Sequence, residues 1–117
     1  MYEKIGWNRK NQKKIVTITR QGQYAYFNTS VMAEINADYC DIYVDYDCQM
    51  IKFVFNDDGD YKLNKNSGKG GSVCIRSCNL GLEQGDAFLC VVEGAEVVFG
   101  YTKAENIGRN TKVPKIS

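Results

Sequence analysis

Hydrophobic and polar positions set out a series of short strands along this chain. Lys14 to Thr19 (KIVTIT) alternates apolar and polar residues as a half-buried strand does, and Gln21-Gly22-Gln23 turns it into a second strand, Tyr24 to Phe27. Asn28 or Thr29 then stands where a helix N-cap belongs. Val31, Met32 and Ile35 are spaced to lay an apolar stripe on a short helix that ends before Asp38. Ile42 and Val44 share one face of the next strand, Asp45 to Cys48 turn it back, and Met50 to Phe55 returns. The turn-rich Asn56-Asp57-Asp58-Gly59-Asp60 divides the chain in two. Beyond it, Tyr61 to Leu63 predicts a strand, Asn66 to Gly71 a break, and Val73 to Ile75 another strand. Ser77 to Leu82 predicts a short helical turn, Gly85-Asp86 launches a strand from Phe88 to Val92, and Glu93-Gly94 turns into Val97 to Tyr101.

The second series repeats the first at a shift of 48 residues. Phe27 falls on Ile75, Thr29 on Ser77, Met32 on Leu80, Asp38 on Asp86, Val44 on Val92 and Asp45 on Glu93, so chemistry is kept along with pattern. The expected architecture is mainly β with minor helix: one pseudo-two-fold barrel over residues 1–103, built from two repeats at about 14–56 and 61–102. Past Lys103 the pattern dissolves, and residues 104–117, with the lone Pro114, read as a mobile tail.

At 117 residues the chain can bury a core without disulfides or a structural metal. No apolar run approaches the roughly 18 residues of a membrane span, and the opening MYEKIGWNRKNQKK lacks the apolar stretch of a secretory signal. The expected setting is a cytoplasm, with no membrane partner. Cys40, Cys48, Cys74, Cys78 and Cys90 are odd in number and mostly within apolar runs, which favours reduced thiols. Zinc finds no support, since histidine is absent and the close pair Cys74 and Cys78 has no second pair.

Other candidate chemistry fails on spacing. Aligning Gly59 with the glycine of a calcium loop puts Val54 at the first ligand position and Lys65 at the closing glutamate. Gly68-Lys69-Gly70-Gly71-Ser72 lacks the spacing and the helix of a nucleotide loop. Without histidine, and with carboxylates gathered in turns, nothing calls for catalysis; no cofactor is expected.

Net charge is +1, but the charges are segregated. Residues 1–20 carry a net +5 and residues 34–60 a net −7. The acidic stretch, with Tyr43 and Tyr46 as anchors and Tyr39 beside them, suits a basic partner; Asp45, Asp47, Asp57 and Asp58 are its expected face. The basic opening with Trp7 suits a nucleic-acid backbone.

Leu80-Gly81-Leu82-Glu83-Gln84-Gly85-Asp86 is similar to the LGLxxGD helix that precedes the last hairpin in the AbrB and MazE swapped-hairpin barrels, and Ile35-Asn36-Ala37-Asp38 resembles a decayed copy. In that family two chains interlace into one barrel that binds DNA or, in antitoxins, also a toxin. The resemblance implies a dimer fused into one polypeptide. It also offers a DNA-binding alternative in which Arg9, Lys10, Lys13, Lys14, Arg20 and Lys69 contact phosphates. Arg20 has no clear basic counterpart in the second repeat and Arg76 none in the first, which argues against symmetric DNA reading. The opening Met1-Tyr2-Glu3-Lys4-Ile5 and the layout resemble small accessory proteins of phages and mobile elements, among them anti-CRISPR inhibitors. The favoured expectation is therefore a non-enzymatic protein, in a bacterial host cell, that blocks a nucleic-acid-handling partner such as a CRISPR-associated nuclease. Pairing of two copies through exposed strand edges is a further expectation.

Overall fold

The computed structural model describes residues 13–65 and 70–110. The order of elements is β1 (Ile15–Thr19), β2 (Tyr24–Phe27), α1 (Thr29–Met32), β3 (Tyr39–Asp45), β4 (Met50–Asn56), β5 (Tyr61–Lys62), β6 (Asn64–Lys65), β7 (Gly71–Cys74), a 3-10 turn (Arg76–Cys78), β8 (Ala87–Leu89), β9 (Val91–Glu93), β10 (Glu96–Gly100) and α2 (Ile107–Asn110).

The described strands make two five-stranded antiparallel sheets, ordered β6-β7-β2-β1-β8 and β5-β3-β4-β10-β9. They do not close into the expected barrel. Two stretches that read as single strands each divide and serve both sheets. After β8 pairs with β1, the chain leaves that ladder at Cys90, whose N–H bonds to the Lys14 carbonyl, and β9 joins β10. Leu63 does the same between β5, which pairs with β3, and β6, which pairs with β7. These corners link the sheet edges through the backbone and not through a ladder.

Alternation decides which face is inside. β1 buries Val16 and Ile18, β2 buries Ala25 and Phe27, and β4 buries Ile51, Phe53 and Phe55. Phe53 meets Phe27 edge-on at 5.1 Å between ring centroids, and Phe99 stacks on Phe53 at 6.1 Å and on Phe88 at 5.3 Å, joining the two sheets through one aromatic core. In the β2–β7 ladder Ala25 faces Val73, and in the β4–β10 ladder Ile51 faces Phe99; each pair lies 48 positions apart in sequence.

The helical segments are shorter than the pattern predicts. Asn28 caps α1, its Oδ1 accepting the Val31 N–H at 3.2 Å, but Ile35 is buried from beyond the helix. The second turn stops at Asn79, which adopts a left-handed φ of 56°, so Leu80 and Leu82 pack from a loop.

The expectation of a mobile tail from residue 104 needs correction up to residue 110. Asn106 is buried, bridges to Phe88, and accepts the Ala87 N–H at 3.1 Å and the Gly108 N–H at 3.0 Å through Oδ1; α2 packs on β8. The apolar pattern ends before this segment because a polar side chain, satisfying an otherwise orphaned strand N–H, is what pins it. Replacing Asn106 with Ala should therefore lower stability by about 1–3 kcal/mol in urea denaturation; a loss below about 0.5 kcal/mol would show the segment to be peripheral.

Candidate functional site

The second sheet offers its outer face. Directly paired residues share a face, and along each strand every second residue does. Three rows follow from the registers: Asp45, Met50 and Gly100; Tyr43, Lys52, Val98 and Val91; and Asp41, Val54, Glu96 and Glu93. Their neighbours Ile51, Phe53, Phe55, Val97 and Phe99 point into the core. The outer rows therefore combine apolar area with charge. Tyr43 is 57% exposed, Val91 60% and Met50 38%. A shallow hollow of about 190 Å³ lies among Tyr43, Asp45, Met50, Lys52 and Val98. The Lys52 Nζ stands over the Tyr43 ring, 5.5 Å from its centre. The same outer rows carry four carboxylates, Asp41, Asp45, Glu93 and Glu96, against that one lysine.

Two of these acids also hold turns, one at each end of β4. Asp45 Oδ1 accepts the N–H groups of Cys48 at 3.0 Å and Asp47 at 3.1 Å, and the hydrogen bond from Cys48 leads in holding its carboxyl below the ordinary value. Asp41 accepts the Asn56 side-chain amide at 3.1 Å and the Asp60 N–H at 3.1 Å, which fixes the turn at residues 57–60.

The residues expected from sequence do not form one cluster. Tyr43 and Asp45 lie on the outer face. Tyr46 and Asp47 lie at the β3–β4 tip, where the Tyr46 hydroxyl donates to the Cys78 carbonyl at 2.6 Å. Asp57 and Asp58 lie beyond the opposite end of seven-residue β4, about 20 Å away at strand spacing. Among the basic set, Lys14 pairs with Glu34 at 2.9 Å before β1, whereas Arg20 follows β1 and stacks on the Tyr24 ring at 5.1 Å, so the two stand at opposite ends of a strand. Lys13 is exposed beside Lys14. Arg9, Lys10 and Lys69 lie outside the described residues.

Met50, Lys52, Val91, Val98, Glu93 and Glu96 were not singled out by sequence. Alternation in MIKFVFN already places Met50 and Lys52 on the outer face of β4, but their meeting with Val98 and Val91 depends on a ladder between segments more than 40 residues apart.

No family model, curated protein or solved structure matches the chain. The site is thus read from its own chemistry. No group of three metal-ligating side chains occurs among the described residues, and no described helix is long and apolar enough to cross a membrane. The five cysteines form no disulfide. Burial pushes the thiol of Cys40 up to about 12 and that of Cys90 up to about 11, whereas Cys48 is exposed and is raised chiefly by the Asp45 charge.

Two outcomes follow for the thiols. An aromatic disulfide reagent at mildly alkaline pH should modify Cys48 first and Cys40 only on unfolding; fast modification of Cys40 would contradict its burial. Above the ordinary thiol pKa near 9, the unfolded chain releases protons that folded Cys40 and Cys90 keep. Their contribution to stability is thus full below about pH 9 and is lost as pH climbs through about 11 and 12, so the urea midpoint should fall across that window. A Cys40→Ala/Cys90→Ala variant should show a flatter decline.

Proposed function

We propose that this chain is a non-enzymatic interaction protein whose second sheet docks, outer face first, on a basic surface of a nucleic-acid-handling protein and blocks it. The observation that carries this reading is the row Tyr43, Lys52, Val98 and Val91, apolar apart from the lysine, with Met50 beside it and Asp41, Asp45, Glu93 and Glu96 in the flanking rows. Exposed aromatic and aliphatic area inside a charged rim is the makeup of an interface core. A rim of carboxylates complements grooves that hold phosphates, so a nuclease of the CRISPR-associated kind is a fitting target and inhibition of the anti-CRISPR type a fitting role.

A swapped-hairpin ancestry with two fused units belongs to the same proposal. In its support, β2 pairs with β7 and β4 with β10, each ladder including one pair 48 residues apart, Ala25 with Val73 and Ile51 with Phe99, as equivalent strands of two units can. The AbrB-type alternative of direct DNA binding draws less support, because Lys14 is engaged by Glu34 and Arg20 stands at the far end of β1.

The test is capture from nuclease-treated bacterial lysate by the native chain and by a Tyr43→Ala/Glu96→Lys variant. Retention of a nucleic-acid-handling protein by the native chain alone is the expected result. Equal retention by the variant would refute the face, and loss of every partner on nuclease treatment would favour DNA. Direct DNA binding would further weaken by about 0.9 logarithmic units per phosphate contact for each tenfold rise in salt.

A further inference from the structure

The edge of β3 is open where the docking face begins. β3 pairs with β4 from Tyr39 to Asp45, but with β5 only at Tyr39 and Cys40. Phe55 donates to the Ala95 carbonyl and Gln49 accepts from Tyr101, so the odd-numbered residues of β4 direct their backbone groups toward β10 and the even-numbered ones toward β3. The β3 residues that answer are Asp41, Tyr43 and Asp45. Ile42 and Val44, which face Phe53 and Ile51 of β4, consequently aim N–H and C=O the other way, and on that side no strand among the described residues pairs with them. Edges are ordinarily blunted by lysine, proline, a bulge or a covering element. Between Ile42 and Asp45 there is no lysine, proline or glycine.

We propose that this edge accepts an extended basic segment of a partner protein as an added antiparallel strand. The inference rests on the reading of the second sheet as a docking surface and names how the partner is held. Charge selects the occupant. A second copy pairing two-fold about Tyr43 would set Asp41 against Asp45 twice, and like charges directly opposite are destabilising. A strand with lysine or arginine on the outer face meets Asp41 and Asp45 favourably. Its alternate residues lie on the face of half-buried Ile42 and Val44 and are apolar. Backbone pairing supplies affinity and the alternating side chains supply selection. Antiparallel addition matches every ladder already in this sheet.

The probe is an acetylated nine-residue peptide alternating lysine and valine, with two derivatives N-methylated at either all valine or all lysine amides. In an antiparallel ladder the valines opposite Ile42 and Val44 exchange the hydrogen bonds, while the lysine amides face away. The parent and the lysine-methylated peptide should bind, slowing hydrogen exchange at the Ile42 and Val44 amides by at least about tenfold, and the valine-methylated peptide should lose binding by at least about tenfold. No binding of the parent, or equal binding of both methylated forms, overturns the proposal. Binding that leaves both amides unprotected and is abolished by Tyr43→Ala/Glu96→Lys also overturns strand addition, while leaving the docking face standing. Protection of both amides that persists unchanged in that variant upholds strand addition and refutes the face.

Discussion

Replacing Phe53 with Ala is expected to lower stability by about 3–5 kcal/mol, the range for truncating a fully buried phenylalanine. Phe53 is fully buried at the middle of β4 and is one of the rings through which the sheets meet, edge-on to Phe27 and stacked with Phe55 and Phe99. Truncation removes its transfer free energy, leaves a cavity that the sheet backbones on either side hold open, and forfeits aromatic contacts of about 0.5–1.5 kcal/mol each. Domains of this size hold about 5–15 kcal/mol in total, so the variant should sit near its unfolding threshold. The check is a urea titration. The midpoint should drop with the slope preserved, and a loss under about 1 kcal/mol would contradict a shared aromatic core between the sheets.

The second large effect is on binding. Tyr43→Ala with Glu96→Lys should weaken capture of the partner by about 100-fold or more, because an exposed tyrosine buried by a partner is the kind of anchor that contributes about 2 kcal/mol or more, and the second change reverses a charge on the same face. Neither residue supports the fold heavily. Tyr43 meets Lys52 at the surface, and Glu96 is exposed beside the tight turn at Gly94-Ala95. The melting temperature should consequently move by only a few degrees. Asp45 calls for gentler treatment, because its carboxylate also holds the tip. Asp45→Asn keeps an oxygen for the Cys48 and Asp47 amides and removes the charge, so it should weaken binding by a smaller factor with the hairpin intact. Weakening by Asp57→Asn or Asp58→Asn of the same size as that by Tyr43→Ala would shift the interface to the other end of β4.

The strands of the first half were legible because their patterns are local. β1, β2 and β4 follow period-two alternation, and Asn28 carries its capping role in its own side chain. The switch at Cys90 was hidden for a physical reason: Phe88 to Val92 is an unbroken apolar run, so nothing in it signals that Leu89 and Val91 belong to different sheets. The sequence pattern places Asp86 in the turn that launches β8. It is also buried, accepting the Glu83 N–H at 2.9 Å, whereas its sequence counterpart Asp38 is exposed and pairs with Lys65 at 3.1 Å. The candidate face was half legible. Tyr43 and Asp45 stand out in the acidic stretch, but their company on the sheet depends on long-range ladders, and sequence proximity wrongly suggested that Asp57 and Asp58 stand beside them.

The most direct measurement is photo-cross-linking from a benzoylphenylalanine placed at Tyr43, compared with one placed at Arg20, in nuclease-treated bacterial lysate. An adduct with a nucleic-acid-handling protein is expected from Tyr43 and none from Arg20, which follows β1 at its far end. An adduct with that same protein from Arg20 but not from Tyr43 would contradict this expectation, placing the working surface on the first sheet.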